Sequence, residues 1–213
     1  MIWDLFPFND ELDLLELRLE ELDPVVDVFG IVEMPKTFSG NPKPLNLSNN
    51  LERFAKWKDK IRIFVPSTVP DGRDHIVDWY QRRLTKNFIV NCDANDTVML
   101  SDLDEIPNRD AIRSFLDDDP GYPVCLVQRL YYYRMNIYDP APWPATVIAP
   151  RYALGADPDM QNLREARGTL PKMLDGGWHF SWLGSPEQIL AKLDAVVDID
   201  VESKHYGSDG IVK

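Results

Sequence analysis

The sequence predicts an α/β domain whose central sheet is mostly parallel and flanked by helices, and three observations predict it. Strand-like and helix-like segments alternate through the first 120 residues, which is the pattern of a parallel sheet covered on both faces. The apolar run Thr97-Val98-Met99-Leu100 ends directly in the acidic segment Ser101-Asp102-Leu103-Asp104-Glu105-Ile106, and open α/β sheets bind ligands outside the carboxyl ends of their strands. A length of 213 residues with 44% hydrophobic content suits one domain with one core.

The elements follow in order. Asn9 and Asp10 start a helix in which Leu12, Leu15, Leu19 and Leu22 recur at helical spacing down to Pro24. Val25 to Glu33 reads as a strand. Met34 to Pro44 is a proline-broken loop whose Lys36 and Lys43 either form a plain connector or face a phosphate or sugar. Ser48 to Lys60 reads as a second helix, Ile61 to Val65 as a strand, and Asp74 to Asn87 as a third helix with Ile76, Trp79, Tyr80 and Leu84 inward. After the Thr97 strand, Pro107 and Asn108 open a short helix that ends near Asp119-Pro120-Gly121.

Val124 to Tyr133 is a long β-prone run, Thr146 to Ala149 a short one, and Tyr138 to Pro144 between them reads as a rigid loop. Ser185-Pro186-Glu187-Gln188 is a helix-start signature, with serine as cap and proline first in the helix. There is no internal repeat. The expected organisation is one domain, 1–213, with a nucleotide-binding half at 1–120 and an acceptor half at 121–213.

Two segments carry chemistry. In extended backbone, residues two apart point to one side, so Asp102 and Asp104 can converge on a hard divalent cation such as Mg²⁺ or Mn²⁺ and hold it against a diphosphate. The alternative is a solvated acidic loop. Asp175-Gly176-Gly177-Trp178-His179-Phe180-Ser181-Trp182 is the second, with glycines that allow close backbone approach. His179 is either a metal ligand or a core histidine. Trp178 and Trp182, an even number apart, either stack on a sugar ring or fill the core.

Composition excludes other classes. A formal net charge of −12 disfavours a nucleic-acid partner, which needs a clustered basic surface. Cys92 and Cys125 are too few for a disulfide framework, and no signal segment or membrane-length apolar stretch occurs, so a soluble, cytoplasmic protein is expected.

Four motifs stand in order along residues 1–190: Phe6-Pro7-Phe8-Asn9-Asp10-Glu11-Leu12-Asp13-Leu14-Leu15-Glu16, Thr37-Phe38-Ser39-Gly40-Asn41-Pro42-Lys43-Pro44-Leu45, Ser101 to Pro107, and Asp175 to Gly184. Together they resemble glycosyltransferase family 17, which contains the β-1,4-mannosyl-glycoprotein 4-β-N-acetylglucosaminyltransferases. The resemblance implies a GT-A type, Rossmann-like fold, a UDP-sugar donor, and Mn²⁺ or Mg²⁺. It also implies Asp102 near ribose and metal, Asp104 as principal metal ligand, and His179 as a late metal ligand. Glu33, Gln81, Arg82 and Trp178 fall in regions expected to contact the nucleotide sugar. If transfer inverts configuration, a carboxylate must deprotonate the acceptor, with Asp175 the first candidate and Glu165 and Glu105 the next.

The chain departs from the animal Golgi enzymes in being short and without a recognisable anchor, and the stretch after Leu193, including Lys204-His205-Tyr206-Gly207-Ser208, matches no family pattern. A compact microbial or viral enzyme acting on a glycan, a protein or a small molecule is the expectation. Two rivals remain. One is a haloacid-dehalogenase-like phosphatase with Asp102 as nucleophile and Asp104 as acid/base; the other is a non-catalytic nucleotide-sugar-binding protein.

Overall fold

A strand precedes the leucine helix. Ile2–Phe8 forms β1, and the computed structural model, which describes residues 1–37, 40–70, 75–187 and 189, builds the sheet around it. The remaining strands are β2 (Val28–Glu33), β3 (Ile61–Phe64), β4 (Thr97–Leu100), β5 (Glu105–Pro107), β6 (Val124–Tyr132), β7 (Tyr138–Pro150), β8 (Lys172–Met173) and β9 (Gly177–Ser181). They form one sheet in the order β3-β2-β1-β4-β7-β6-β9-β5, with β8 beside β6. β3, β2, β1 and β4 run parallel, β7 runs against both β4 and β6, β9 follows β6, and β5 runs against β9. Along that path only β7 and β5 oppose the common direction, so the mostly parallel sheet is as expected. The sheet curls at its far end, bringing β5 back beside β7, where the Thr146 hydroxyl donates to the Glu105 carbonyl 3.4 Å away.

Helices α1 (Leu12–Leu22), α2 (His75–Leu84), α3 (Lys86–Ile89), α4 (Arg109–Asp118) and α5 (Met160–Ala166) cover the two faces. Alternation along β1 separates them. Phe6 and Phe8 pack with Leu15, Leu19 and Leu22 of α1 and Phe115 of α4, whereas Trp3 and Leu5 pack with Phe88 and Ile89 of α3 and Met160 of α5.

Three expectations change. Ser48–Trp57 is a 3₁₀ segment broken at Asn50 and Phe54, not an α-helix. In α2 the buried face is Val77, Gln81 and Arg82, while Ile76 and Trp79 are exposed. Tyr138 to Pro144 is strand rather than loop. Its prolines sit where β4, which pairs only with Val147 to Pro150, leaves the neighbouring edge uncovered, and a register shift between Gln128 and Leu130 of β6 absorbs the extra residues. Gln188 of the helix-start signature and residues 204–208 lie outside the described residues.

Candidate active site

The carboxyl ends of β1, β2 and β4 share one edge, and the segment after Leu100 lies across it. That segment is a turn, not extended chain: the Glu105 N–H donates to the Asp102 carbonyl (3.1 Å) and the Asp102 N–H to Glu105 Oε2 (3.0 Å). Leu103 packs into the core, and Asp102 and Asp104 both line one cleft. Pro7 and Phe8 at the end of β1, Asn9 and Glu11 just after it, and Arg82 of α2 complete the walls.

A buried arginine holds the turn from below. Arg18 of α1, fully buried, pairs with fully buried Asp4 of β1 through Nε (2.8 Å) and Nη2 (2.6 Å). Its Nη2 reaches the Ser101 hydroxyl (2.6 Å), and its Nη1 donates to the carbonyls of Asp102 (3.0 Å), Leu103 (3.1 Å) and Glu105 (3.0 Å). One guanidinium therefore ties four residues of the acidic loop, Ser101, Asp102, Leu103 and Glu105, to the first strand. The signal was present: Arg18 falls three residues after Leu15 and four before Leu22, on the inward face, and Asp4 interrupts an otherwise apolar strand.

From above, two further arginines grip Asp102. Arg82 donates through Nε to Oδ1 (2.9 Å) and through Nη2 to Oδ2 (3.2 Å), and Arg164 of α5 donates through Nε (3.1 Å) and Nη2 to Oδ2. Burial alone would raise the Asp102 carboxyl, but the two guanidiniums outweigh it and hold it well below the usual carboxylate range. Arg82 also pairs with Asp78, one helical turn back, whose buried carboxyl is pushed up by desolvation against the pull of Arg82. Glu105 is buried and committed: Oε1 accepts from Trp143 Nε1 (3.1 Å) and Arg167 Nη1 (3.0 Å), Oε2 from the Asp102 N–H.

His179 arrives by strand pairing. Glu105 of β5 stands opposite His179 of β9, and the Phe180 N–H donates to the Asp104 carbonyl (2.9 Å). The crossing is close enough that a Cβ on Gly177, at φ +135°, would lie 2.1 Å from the Ile106 carbonyl oxygen. His179 Nε2 sits 3.6 Å from Asp104 Oδ2, its ring packs 4.8 Å from that of Trp143, and Nδ1 is buried without a hydrogen-bond partner. Burial lowers the imidazole's pKa, but Asp104, with Glu105 and Asp102 behind it, raises it further, for a net rise.

Residues 1–208 match the family model for glycosyltransferase family 17. The chain belongs to this family. It is 30% identical over 220 residues to a human β-1,4-mannosyl-glycoprotein 4-β-N-acetylglucosaminyltransferase, covering 87% of this chain and 41% of that protein. The rat protein of the same name is 35% identical over 114 residues, covering 49% of this chain and 21% of its own length. The chain thus spans less than half the length of these relatives. Among solved structures, a 2-C-methyl-D-erythritol 4-phosphate cytidylyltransferase from Francisella tularensis overlaps 92% of this chain and 99% of its own at 12% identity, with a TM-score of 0.47.

In this family 17 chain the expected site residues divide. Asp102, Asp104, Arg82 and His179 come together at the strand edge. Glu33 does not face the cleft: its buried carboxylate accepts from the Leu47 N–H (2.7 Å), the Ser48 N–H (3.0 Å) and the Ser48 hydroxyl (2.7 Å), tying β2 to the start of the 3₁₀ segment. Gln81 is a buried clamp whose amide donates to the carbonyls of Phe8 (3.1 Å) and Val32 (2.9 Å) at the ends of β1 and β2. Trp178 neighbours His179 in β9 and so points to the opposite sheet face. Asp175 stands four residues before His179, exposed and paired with Arg129 Nη2 (2.9 Å). Glu165 is exposed on α5 and accepts from Gln161 (2.9 Å). Glu105 is buried, and its carboxylate accepts three hydrogen bonds from within the protein.

Among the described residues no three His, Cys, Asp or Glu side chains come together as a metal-holding group, and both Asp102 oxygens are taken by arginine. Asp104 and His179 remain as a two-residue donor set, one carboxylate oxygen and one imidazole nitrogen facing each other. Such a set suits a hard cation that fills its other positions with phosphate oxygens and water. Among the described residues no helix is long and apolar enough to cross a membrane.

Proposed function

We propose that this chain is the catalytic domain of a divalent-metal-dependent glycosyltransferase. It would move N-acetylglucosamine or another hexose from a UDP-sugar to an acceptor hydroxyl, with inversion. The observation that carries the reading is the β5–β9 pairing, which sets His179 3.6 Å from Asp104 at the carboxyl edge of a parallel sheet in a family 17 chain. Residues 1–120 supply most of the nucleotide-sugar site, joined there by Arg164 and His179, and the acceptor groove draws on both halves of the chain.

In this reading Asp104 and His179 hold Mn²⁺ or Mg²⁺. When bound, the cation neutralises charge that develops on the leaving diphosphate. The arginines at the cleft add positive charge from the side of α2 and α5. Arg18 contributes nothing to the donor directly; it keeps the turn in register, so the cleft is preorganised before ligand arrives.

The acceptor enters beside the cleft, along a groove of about 450 Å³ lined by Leu12, Leu17, Met135, Phe180 and Leu183. Glu11 borders both the groove and the cleft, and it is the carboxylate we assign to remove the acceptor's proton. A saccharide, on a glycan or a small molecule, suits this mix of apolar floor and acidic rim. The phosphatase alternative needs Asp102 as an unencumbered nucleophile, whereas both its oxygens are held by arginine.

Calorimetric titration of UDP-GlcNAc, UDP-glucose, UDP-galactose and UDP, each with Mn²⁺ and with EDTA, tests the reading. Metal-dependent binding is expected, lost in Asp104→Ala. No binding in either condition overturns it, and binding without hydrolysis or transfer to any acceptor favours the non-catalytic alternative.

A further inference from the structure

The grip on Asp102 poses a question that the metal reading leaves open. A carboxylate has room for about four hydrogen bonds, and Arg82 and Arg164 supply four N–H groups to it. Three of them fall on Oδ2 and one on Oδ1, so two guanidiniums already balance the charge that would draw a cation to Asp102. Two guanidiniums converging from different helices on one anion are, however, the arrangement that binds phosphate oxygens in bidentate fashion.

We infer that Arg82 and Arg164 form a seat for a diphosphate, that Asp102 fills this seat in the ligand-free protein, and that an arriving diphosphate displaces it. The inference rests on the proposed function for the identity of its natural ligand, the diphosphate of a nucleotide sugar. The seat is accessible: the side chains of Asp102 and Arg164 are 19% and 25% exposed, and Asp102 and Arg82 line the cleft. It is also built to survive the exchange. Asp78 holds Arg82 from behind, so Arg82 keeps one carboxylate partner when Asp102 leaves. Asp78 Oδ1 is itself buried without a hydrogen-bond partner, leaving this carboxylate spare capacity for the guanidinium.

The exchange has an electrostatic consequence. Once displaced, Asp102 stands beside Asp104 without its two cations, and two neighbouring carboxylates attract a divalent ion that neither arginine-bound Asp102 nor Asp104 alone would hold as well. Diphosphate and cation then bind with positive coupling, and by linkage each must strengthen the other equally.

The test uses inorganic pyrophosphate in EDTA, so that neither the nucleotide nor the metal contributes. Asp102→Asn removes the charge that competes for the seat and is expected to bind pyrophosphate about tenfold tighter than wild type, the scale of a charge-assisted hydrogen bond. Asp104→Asn removes a nearby negative charge without touching the arginines and reports the generic electrostatic gain, which should be about twofold or less. Equal gains in the two variants overturn the inference, as does no gain in Asp102→Asn.

Should Asp102→Asn fail to fold by circular dichroism, Arg164→Gln decides. Its Mn²⁺ affinity without nucleotide, read from the free-ion resonance signal, should rise several-fold as Asp102 is partly released, and an unchanged affinity overturns the inference. Failure of the glycosyltransferase reading looks different, namely tighter pyrophosphate binding by Asp102→Asn with no UDP binding under any condition.

Discussion

Arg18→Met is the perturbation that most directly tests how the site is held. Both Arg18 and Asp4 are fully buried, so removing the cation strands a carboxylate in the core. Breaking one side of a buried pair costs about 3–5 kcal/mol, against a total stability of about 5–15 kcal/mol for a domain. The carbonyls of Asp102, Leu103 and Glu105 lose their shared donor in the same step. A loss of about 4 kcal/mol, with a urea slope of about 3 kcal/mol per molar, moves the unfolding midpoint down by about 1.3 M. The double variant Asp4→Leu/Arg18→Met removes the stranded charge and should recover about half of that loss, because a buried pair replaced by apolar groups is often near neutral. It should not recover UDP affinity, since the loop carbonyls still lack their donor. A single-variant loss under about 1 kcal/mol, or a double variant with wild-type UDP binding, would refute the claim that Arg18 sets the loop.

Glu11→Gln should lower kcat by about 100-fold or more while leaving UDP affinity within about twofold; unchanged turnover rules out Glu11 as the base. For His179 the folded-state pKa is raised by its acidic neighbours, so protonation favours the fold. That contribution is fully present below the ordinary histidine value of about 6.5 and is lost as pH rises through the higher folded value. A cation needs the neutral ring, so Mn²⁺ affinity should rise with pH over the same interval and lose most of that dependence in His179→Phe; an imidazole titration below 6.5 by NMR contradicts the assignment. Burial pushes the Cys92 thiol up to about 12, so iodoacetamide at pH 8 should label it slowly in the native protein and quickly in urea, and prompt native labelling would disprove this.

The acidic loop was legible because its signal is local. A four-residue apolar strand followed at once by carboxylates fixes both the element and the edge, and Asn108, whose side chain accepts from the Asp110 N–H at 2.9 Å, opens α4 as its sequence predicts. Arg164 and Arg167 were invisible for the opposite reason. They reach Asp102 and Glu105 from 62 residues away, and nothing in the intervening chain announces the contact. A local hint did exist in Asp159, which caps α5 by accepting from the N–H groups of Gln161 and Asn162. Glu33 was placed at the end of its strand and Gln81 in the helix before the acidic segment, as the structure has them, but position alone does not say whether a polar group faces ligand or backbone. Both spend their hydrogen bonds inside the protein. Tyr138 to Pro144 was misjudged because proline reads as a strand breaker unless the open edge beside it is known.

That proline-bearing stretch of β7 has a bearing on how the protein behaves in company. A long, exposed, aromatic hairpin arm is the kind of edge on which a second chain can template itself. Here Pro140, Pro142 and Pro144 leave three of the seven residues from Tyr138 onward with no N–H to offer an incoming strand. The arm keeps the reach and the rings that a binding surface needs while being a poor partner for its own kind, so the same residues that hide the strand in the sequence guard it against self-association.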